Sequence, residues 1–187
     1  MQKLLIILTA LVTVFTASVC NAMNAMNNER IESELNLGGI LLEMSYQDVV
    51  NKYGEPNRRE KGSAQLVSFS IYYGESVKID FGFNNQVLAV ETVANNGWHT
   101  PFGIRVGTAM SNVLNIYGQP DYIGKPNQNQ QWTAYIYSYT IPQIDMTRGS
   151  INRGLIIYCD SENGNVKGIK IWKEEHDPTP IGTLGRS

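Results

Sequence analysis

Gly39-Ile40-Leu41-Leu42-Glu43-Met44-Ser45-Tyr46-Gln47-Asp48-Val49-Val50-Asn51-Lys52-Tyr53-Gly54-Glu55-Pro56 lies over Gly103-Ile104-Arg105-Val106-Gly107-Thr108-Ala109-Met110-Ser111-Asn112-Val113-Leu114-Asn115-Ile116-Tyr117-Gly118-Gln119-Pro120 when the chain is shifted by 64 residues. Seven of the 18 aligned positions are identical, where unrelated segments would share about one. Tyr-Gly-x-Pro ends both copies without a gap. Tyr46, Val49, Val50 and Tyr53 recur at i, i+3, i+4 and i+7, as do Met110, Val113, Leu114 and Tyr117, so each copy predicts a short helix with one apolar face. Ser45 is placed to cap the first, with Asp48 three residues on, and Thr108 and Ser111 hold the corresponding places in the second. Gly54 and Gly118 fit positive-φ C-caps, and Pro56 and Pro120 prevent the helices from resuming.

Beyond each helix the apolar period falls to two. Val67, Phe69, Ile71 and Tyr73, then Val77, Ile79, Phe81 and Phe83, then Val87 to Val93 read as three antiparallel strands, with Asn84-Asn85 as a turn. Trp132 to Tyr139, Leu155 to Asp160 and Val166 to Trp172 repeat the plan around a turn at Asn163-Gly164. The expected fold is α+β, two tandem helix-plus-meander (αβββ) units over 39–93 and 103–173 joined by a connector at 94–102. Residues 23–38 read as a polar lead-in and 174–187 as a flexible tail. The second unit carries an insertion from Ile141 to Arg153 where the first has only Gly74-Glu75-Ser76. That loop is either where specificity develops or a tolerated insertion.

The chain has 187 residues, 42% of them hydrophobic, enough for a core. Lys and Arg number 15 against 17 Asp and Glu, so there is no basic face for nucleic acid. Met1 to Ala22 has the layout of a secretory signal: Lys3, an apolar run from Leu4 to about Phe15, then small residues before Ala22. The sequence therefore predicts export to the periplasm or beyond, cleavage after Ala22 and no membrane span in the mature chain. Cys20 is a poor lipidation site, since Ala17 and Val19 stand where Leu and a small residue are usual.

The pattern Ile104-x-Val106-Gly107-Thr108, Val113, Tyr117-Gly118-x-Pro120, followed by an aromatic strand and a hairpin, resembles the SmpA/OmlA family of BamE-like modules. Two such units in series are similar to the β-lactamase inhibitor protein (BLIP-like) fold. Glu43 departs from the pattern, standing where that family favours glycine. The resemblance spans 39 to about 173 and implies a protein-binding module, with no cofactor, that grips a partner by its sheet face and loops.

Chemistry-bearing residues are sparse. His99 and His176 have no Cys, Asp or Glu at metal-ligand spacing, Cys159 sits in an apolar run, and no Gly-x-Ser-x-Gly elbow or phosphate-cradling loop is present. Tyr135, Tyr137 and Tyr139 alternate along one strand. They are either the core face over the second helix, leaving Trp132, Ala134 and Ile136 outward, or an exposed aromatic patch with Trp132 or Trp98. The expected role is a non-catalytic exported protein that binds another envelope or secreted protein. Its candidate contacts are Trp98, Trp132, Tyr135, Tyr137 and Tyr139 with Ile144, Asp145, Met146 and Arg148 of the loop. The alternative is an inhibitor of a secreted or periplasmic hydrolase through a loop acid such as Asp145; a hydrolase built on His99 is the third reading.

Overall fold

The computed structural model describes residues 35–62, 66–124, 131–141 and 151–174. Helix α1 spans Tyr46–Tyr53 and α2 spans Met110–Tyr117, where the apolar period places them. The Ser45 hydroxyl oxygen accepts the Asp48 N–H at 3.1 Å and its proton goes to the Asp48 carboxylate at 2.6 Å, closing the expected cap. The second helix departs from expectation. It starts from Ala109, which has no side chain to cap with, and the Thr108 hydroxyl instead accepts the Arg105 N–H at 3.1 Å. Gly54 and Gly118 end the helices at φ 80° and 77°.

The strands are β1 (Asn36–Leu37), β2 (Ile40–Leu41), β3 (Arg58–Lys61), β4 (Phe69–Tyr73), β5 (Val77–Phe81), β6 (Val87–Thr92), β7 (Tyr122–Gly124), β8 (Trp132–Ile141), β9 (Ile151–Asp160) and β10 (Val166–Glu174). The first two form a small hairpin, and the other eight form one sheet in the order β3-β4-β5-β6-β10-β9-β8-β7. Every neighbouring pair is antiparallel. The fold is α+β. Each helix is followed by four strands rather than the expected three, because β3 and β7 open each series. Arg58-Arg59-Glu60-Lys61 has no apolar face and is exposed throughout, so hydrophobic alternation could not reveal it. The three residues of β7 are too few to show a period.

Strands β6 and β10 meet at the middle of the sheet, with Ala89 opposite Trp172 and Thr92 opposite Ile169. Both helices lie on one face. Val49, Val113 and Tyr117 from the helices share a core with Ile71, Ile79, Phe81, Leu155, Ile157 and Ile171. Burying each such aliphatic side chain contributes about 1.5–3 kcal/mol, which holds helices too short to stand alone.

The helices are seated by matching backbone bonds. Glu43 N–H donates to Val87 O (2.9 Å), Val87 N–H to Met44 O (2.9 Å) and Tyr46 N–H to Asn85 O (3.1 Å). For α2, Gly107 N–H donates to Val166 O (2.7 Å), Val166 N–H to Thr108 O (2.8 Å) and Met110 N–H to Gly164 O (3.0 Å). Each helix start is thus tied to a hairpin turn. At the other end a strand tyrosine closes the cap: Tyr73 donates to Gly54 O at 2.8 Å and Tyr137 to Gly118 O at 3.2 Å.

Two boundaries shift from the sequence reading. Leu35 and Leu37, placed in the polar lead-in, are buried, and Leu37 pairs with the equally buried Ile40 across a Gly38-Gly39 turn. The core therefore begins before Gly39. The loop expected over 141–153 is shorter, because Ile141 and the segment Ile151–Arg153 belong to β8 and β9, paired from Trp132–Asp160 out to Ile141–Ile151. The connection 142–150 lies outside the described residues, as do the signal segment, Cys20, His176 and the tail beyond Glu174.

Candidate functional site

Strand alternation decides which side chains the helices cover. In β8, Tyr135 pairs with Ile157 and Tyr137 with Leu155, so both point to the helix side. Tyr137 is 1% exposed and Tyr135 is half-buried against the same core. Burial pushes the Tyr137 phenol well above the usual tyrosine range. These two tyrosines are core, not contact residues, because the register hands the opposite face to Trp132, Ala134 and Ile136. Tyr139 continues the strand opposite Arg153; its side chain, and Ile144, Asp145, Met146 and Arg148, lie outside what the structure describes. Trp98, half-buried, stands on the other side of the sheet from Trp132. It packs against the helix-side core, its ring stacked on Tyr53 at 4.8 Å and lying over Gly38, so it roofs the amino-terminal hairpin and does not meet Trp132.

The face opposite the helices carries a second apolar cluster: Ala134, Ile136, Ile156 and Tyr158, with Trp132 and Trp172 half-buried at its border. Trp132 meets Tyr158 edge to face at 5.1 Å. Two glycines shape this floor. Gly154 pairs with Trp172 across β9 and β10, and Gly168 pairs with Tyr158 across the same two strands. A Cβ on Gly154 would sit 2.8 Å from the Trp172 indole nitrogen, and one on Gly168 would sit 3.1 Å from the Tyr158 ring. Each ring therefore lies down over the glycine of the neighbouring strand. Glycine in a strand costs about 0.5–1 kcal/mol, and close approach of a ring is what it permits here. Tyr158 and Trp172 escaped the sequence reading. The signal was present in Leu155-Ile156-Ile157-Tyr158-Cys159, an unbroken apolar run of the kind buried on both faces.

Toward β3 the same face turns ionic. Arg58 pairs with Glu60 at 3.2 Å and lies over the Tyr72 ring at 4.0 Å, while Tyr72 donates to Glu60 at 3.0 Å. Lys78 pairs with Asp80 at 3.0 Å, and Ser70 donates to the same carboxylate at 2.5 Å. Burial works most strongly against the Lys78 charge, but Asp80, with Tyr72 and Glu91, together outweighs it and holds the ammonium above its ordinary range. Glu91 stands opposite both Lys78 and Lys170. The face thus grades from neutralised charge pairs on β3–β5 to aromatic rings on β8–β10.

No protein-family model matches the chain, and no curated protein or solved structure matches it either. The exposed His99 has its Nδ1 2.8 Å from the Thr100 carbonyl, so that nitrogen is engaged by backbone rather than by a carboxylate. The buried Cys159 thiol donates to Asp160 O at 3.5 Å, and burial followed by the Asp160 charge pushes it above the ordinary thiol range. Such a thiol is a poor nucleophile. Among the described residues no group of three or more His, Cys, Asp and Glu is placed to hold a metal, and no helix is long and apolar enough to cross a membrane.

Proposed function

We propose that the chain is an exported, non-catalytic protein-binding module, built from two copies of one helix-plus-antiparallel-strand unit, that grips another protein with the helix-free face of its sheet and the adjoining 142–150 connection. The observation that carries the reading is the second apolar cluster. The half-buried Trp132 and Trp172 border the buried Ala134, Ile136, Ile156 and Tyr158 on the face away from both helices, beside the ion pairs Arg58–Glu60 and Lys78–Asp80. Two half-buried tryptophans beside paired charges are suited to adhesion, since such rings are the anchors that interfaces favour. Arg58 with Glu60 and Lys78 with Asp80 neutralise each other in pairs, an arrangement that favours binding over turnover.

The duplication is supported by the seating bonds. Glu43, Met44 and Tyr46 stand to Val87 and Asn85 as Gly107, Thr108 and Met110 stand to Val166 and Gly164. Tyr73 closes Gly54 as Tyr137 closes Gly118. Asn57 N–H donates to Tyr72 O as Asp121 N–H donates to Ile136 O, both at 2.9 Å. The 64-residue offset of the sequence repeat carries Glu43, Met44, Tyr46, Gly54, Asn57, Tyr72 and Tyr73 onto their counterparts, and Asn85 and Val87, which lie beyond the insertion between the strands, precede theirs by 79 residues.

The reading is tested by capture from envelope extract with the chain from Met23 onward. The expected result is a retained partner that is lost with Trp132→Ser, while the circular dichroism and melting of the variant stay close to those of the parent. Undiminished capture by the variant would overturn it.

A further inference from the structure

We propose that Glu43 is a latch, opened by protonation of its carboxylate, that ties the amino-terminal hairpin and the start of α1 to the ends of β9 and β10. The backbone at Glu43 has φ 68°, the left-handed region that side-chain-bearing residues avoid. The corresponding place before α2 is Gly107 at φ 94°, and both N–H groups make the same kind of bond into a hairpin strand, to Val87 O and to Val166 O. The helix seat therefore demands this conformation, and glycine meets the demand without strain. A glutamate in its place needs a reason in its side chain.

That reason is on the opposite half of the sheet. One carboxylate oxygen of Glu43 accepts from Lys173 Nζ at 2.5 Å and from Arg153 Nη2 at 3.1 Å. Lys173 and Arg153 are register partners near the ends of β10 and β9, and they follow Glu43 by 130 and 110 residues. The Lys173 side chain is only 8% exposed and that of Arg153 19%, so these charge-assisted bonds are made largely out of water, while Glu43 at 40% remains open to protons from solvent. Strand β1 lies against β10 on the same side, and α1 brings Lys52 over Gly39. The segment thus crosses from one half of the molecule to the other, and Glu43 is where it is fastened by charge.

The direction of the pH response follows. The Lys173 bond is the largest influence on the Glu43 carboxyl; burial pushes the other way, and the charges of Lys173 and Arg153 bring the net below the ordinary 4.5. A carboxylate whose folded value is depressed stabilises the fold above its unfolded value and loses that contribution as pH falls through the folded one. The latch is closed at neutral pH and opens in acid. Protonation leaves the left-handed backbone in place without the ion pairs that offset it.

Amide hydrogen exchange of the full chain reads the latch locally. The reporters are the N–H of Gly38, bonded to His99 O, and of Glu43, bonded to Val87 O; the control is Ser68, bonded to Phe81 O at the far side of the sheet. Glu43→Gln keeps shape and removes charge. Near neutral pH it should speed exchange at Gly38 and at position 43 roughly tenfold, with Ser68 unchanged. Lys173→Met should do the same, and the double variant should add little further. The difference between parent and Glu43→Gln should shrink as pH falls below 4.5 and through the depressed folded value, where the parent carboxyl loses its charge. Unchanged local rates, equal acceleration at Ser68, or full additivity of the two substitutions would each overturn the latch. Because Lys173→Met makes the same prediction, a variant at Glu43 that failed to fold would not remove the test.

Discussion

Gly154→Ala tests whether the Trp172 indole lies flat on the sheet. The added methyl would stand 2.6 Å from the Tyr137 carbonyl oxygen, 2.8 Å from the indole nitrogen and 3.0 Å from its neighbouring ring carbon. Contacts this short force either the backbone pair or the ring to move. Overpacking of a filled site costs about 1–3 kcal/mol. Replacing glycine by alanine in extended backbone returns about 0.5–1 kcal/mol through the unfolded chain. The net expectation is a loss of about 1–2 kcal/mol, a shift of several degrees in Tm for a chain of this size. Urea unfolding should show a lower midpoint with an unchanged slope. The two clashes can be separated, since Trp172→Ala removes the indole and leaves the Tyr137 carbonyl. In that background Gly154→Ala should cost about 1 kcal/mol less than in the parent, a coupling of the size seen for touching groups. A neutral or stabilising Gly154→Ala, or a cost unaffected by Trp172→Ala, would refute the ring placement.

Other outcomes follow from single contacts. Tyr137→Phe deletes the bond to Gly118 O and should cost about 1 kcal/mol by denaturant titration. Ser45→Ala should cost about 1 kcal/mol, whereas Ala109→Ser should gain several tenths, because Ala109 already holds the extended N-cap conformation at φ −63° and ψ 137° but offers no acceptor. Cys159 should react with a thiol reagent only through openings of the protein, so at fixed pH its labelling rate should rise in parallel with urea-induced unfolding.

Much of this architecture was legible in the chain because its elements repeat a period. The helices rest on Tyr46 and Val49 and on Met110, Val113 and Tyr117, and strands such as Val77–Phe81 alternate cleanly. What stayed hidden lacks a period or is decided at long range. Edge strand β3 is all charge, its arginines folded over aromatic rings on both faces, with Arg58 on Tyr72 and Arg59 on Phe69. Leu37 and Ile40 are separated by two glycines and show their burial only through pairing. The face of β8 was ambiguous because both of its sides are apolar, and only the partner strand assigns Tyr137 to the helices and Ile136 to the other face. The Trp132–Tyr158–Trp172 grouping needs three strands brought together by the fold. Ser45 announced itself as a cap by its chemistry, while Thr108 carried the same chemistry one residue too early for α2.

The junction of β6 with β10 has a consequence for how the molecule can be divided. A fragment ending after Thr92 would leave the outer edge of β6 with its backbone donors and acceptors unmet, and a fragment beginning at Phe102 would do the same to β10. Neither piece would be a free-standing monomer. Mixed together they should reassemble across that seam, and either one alone should pair with itself, a single-chain protein giving a homodimer when its tether is cut.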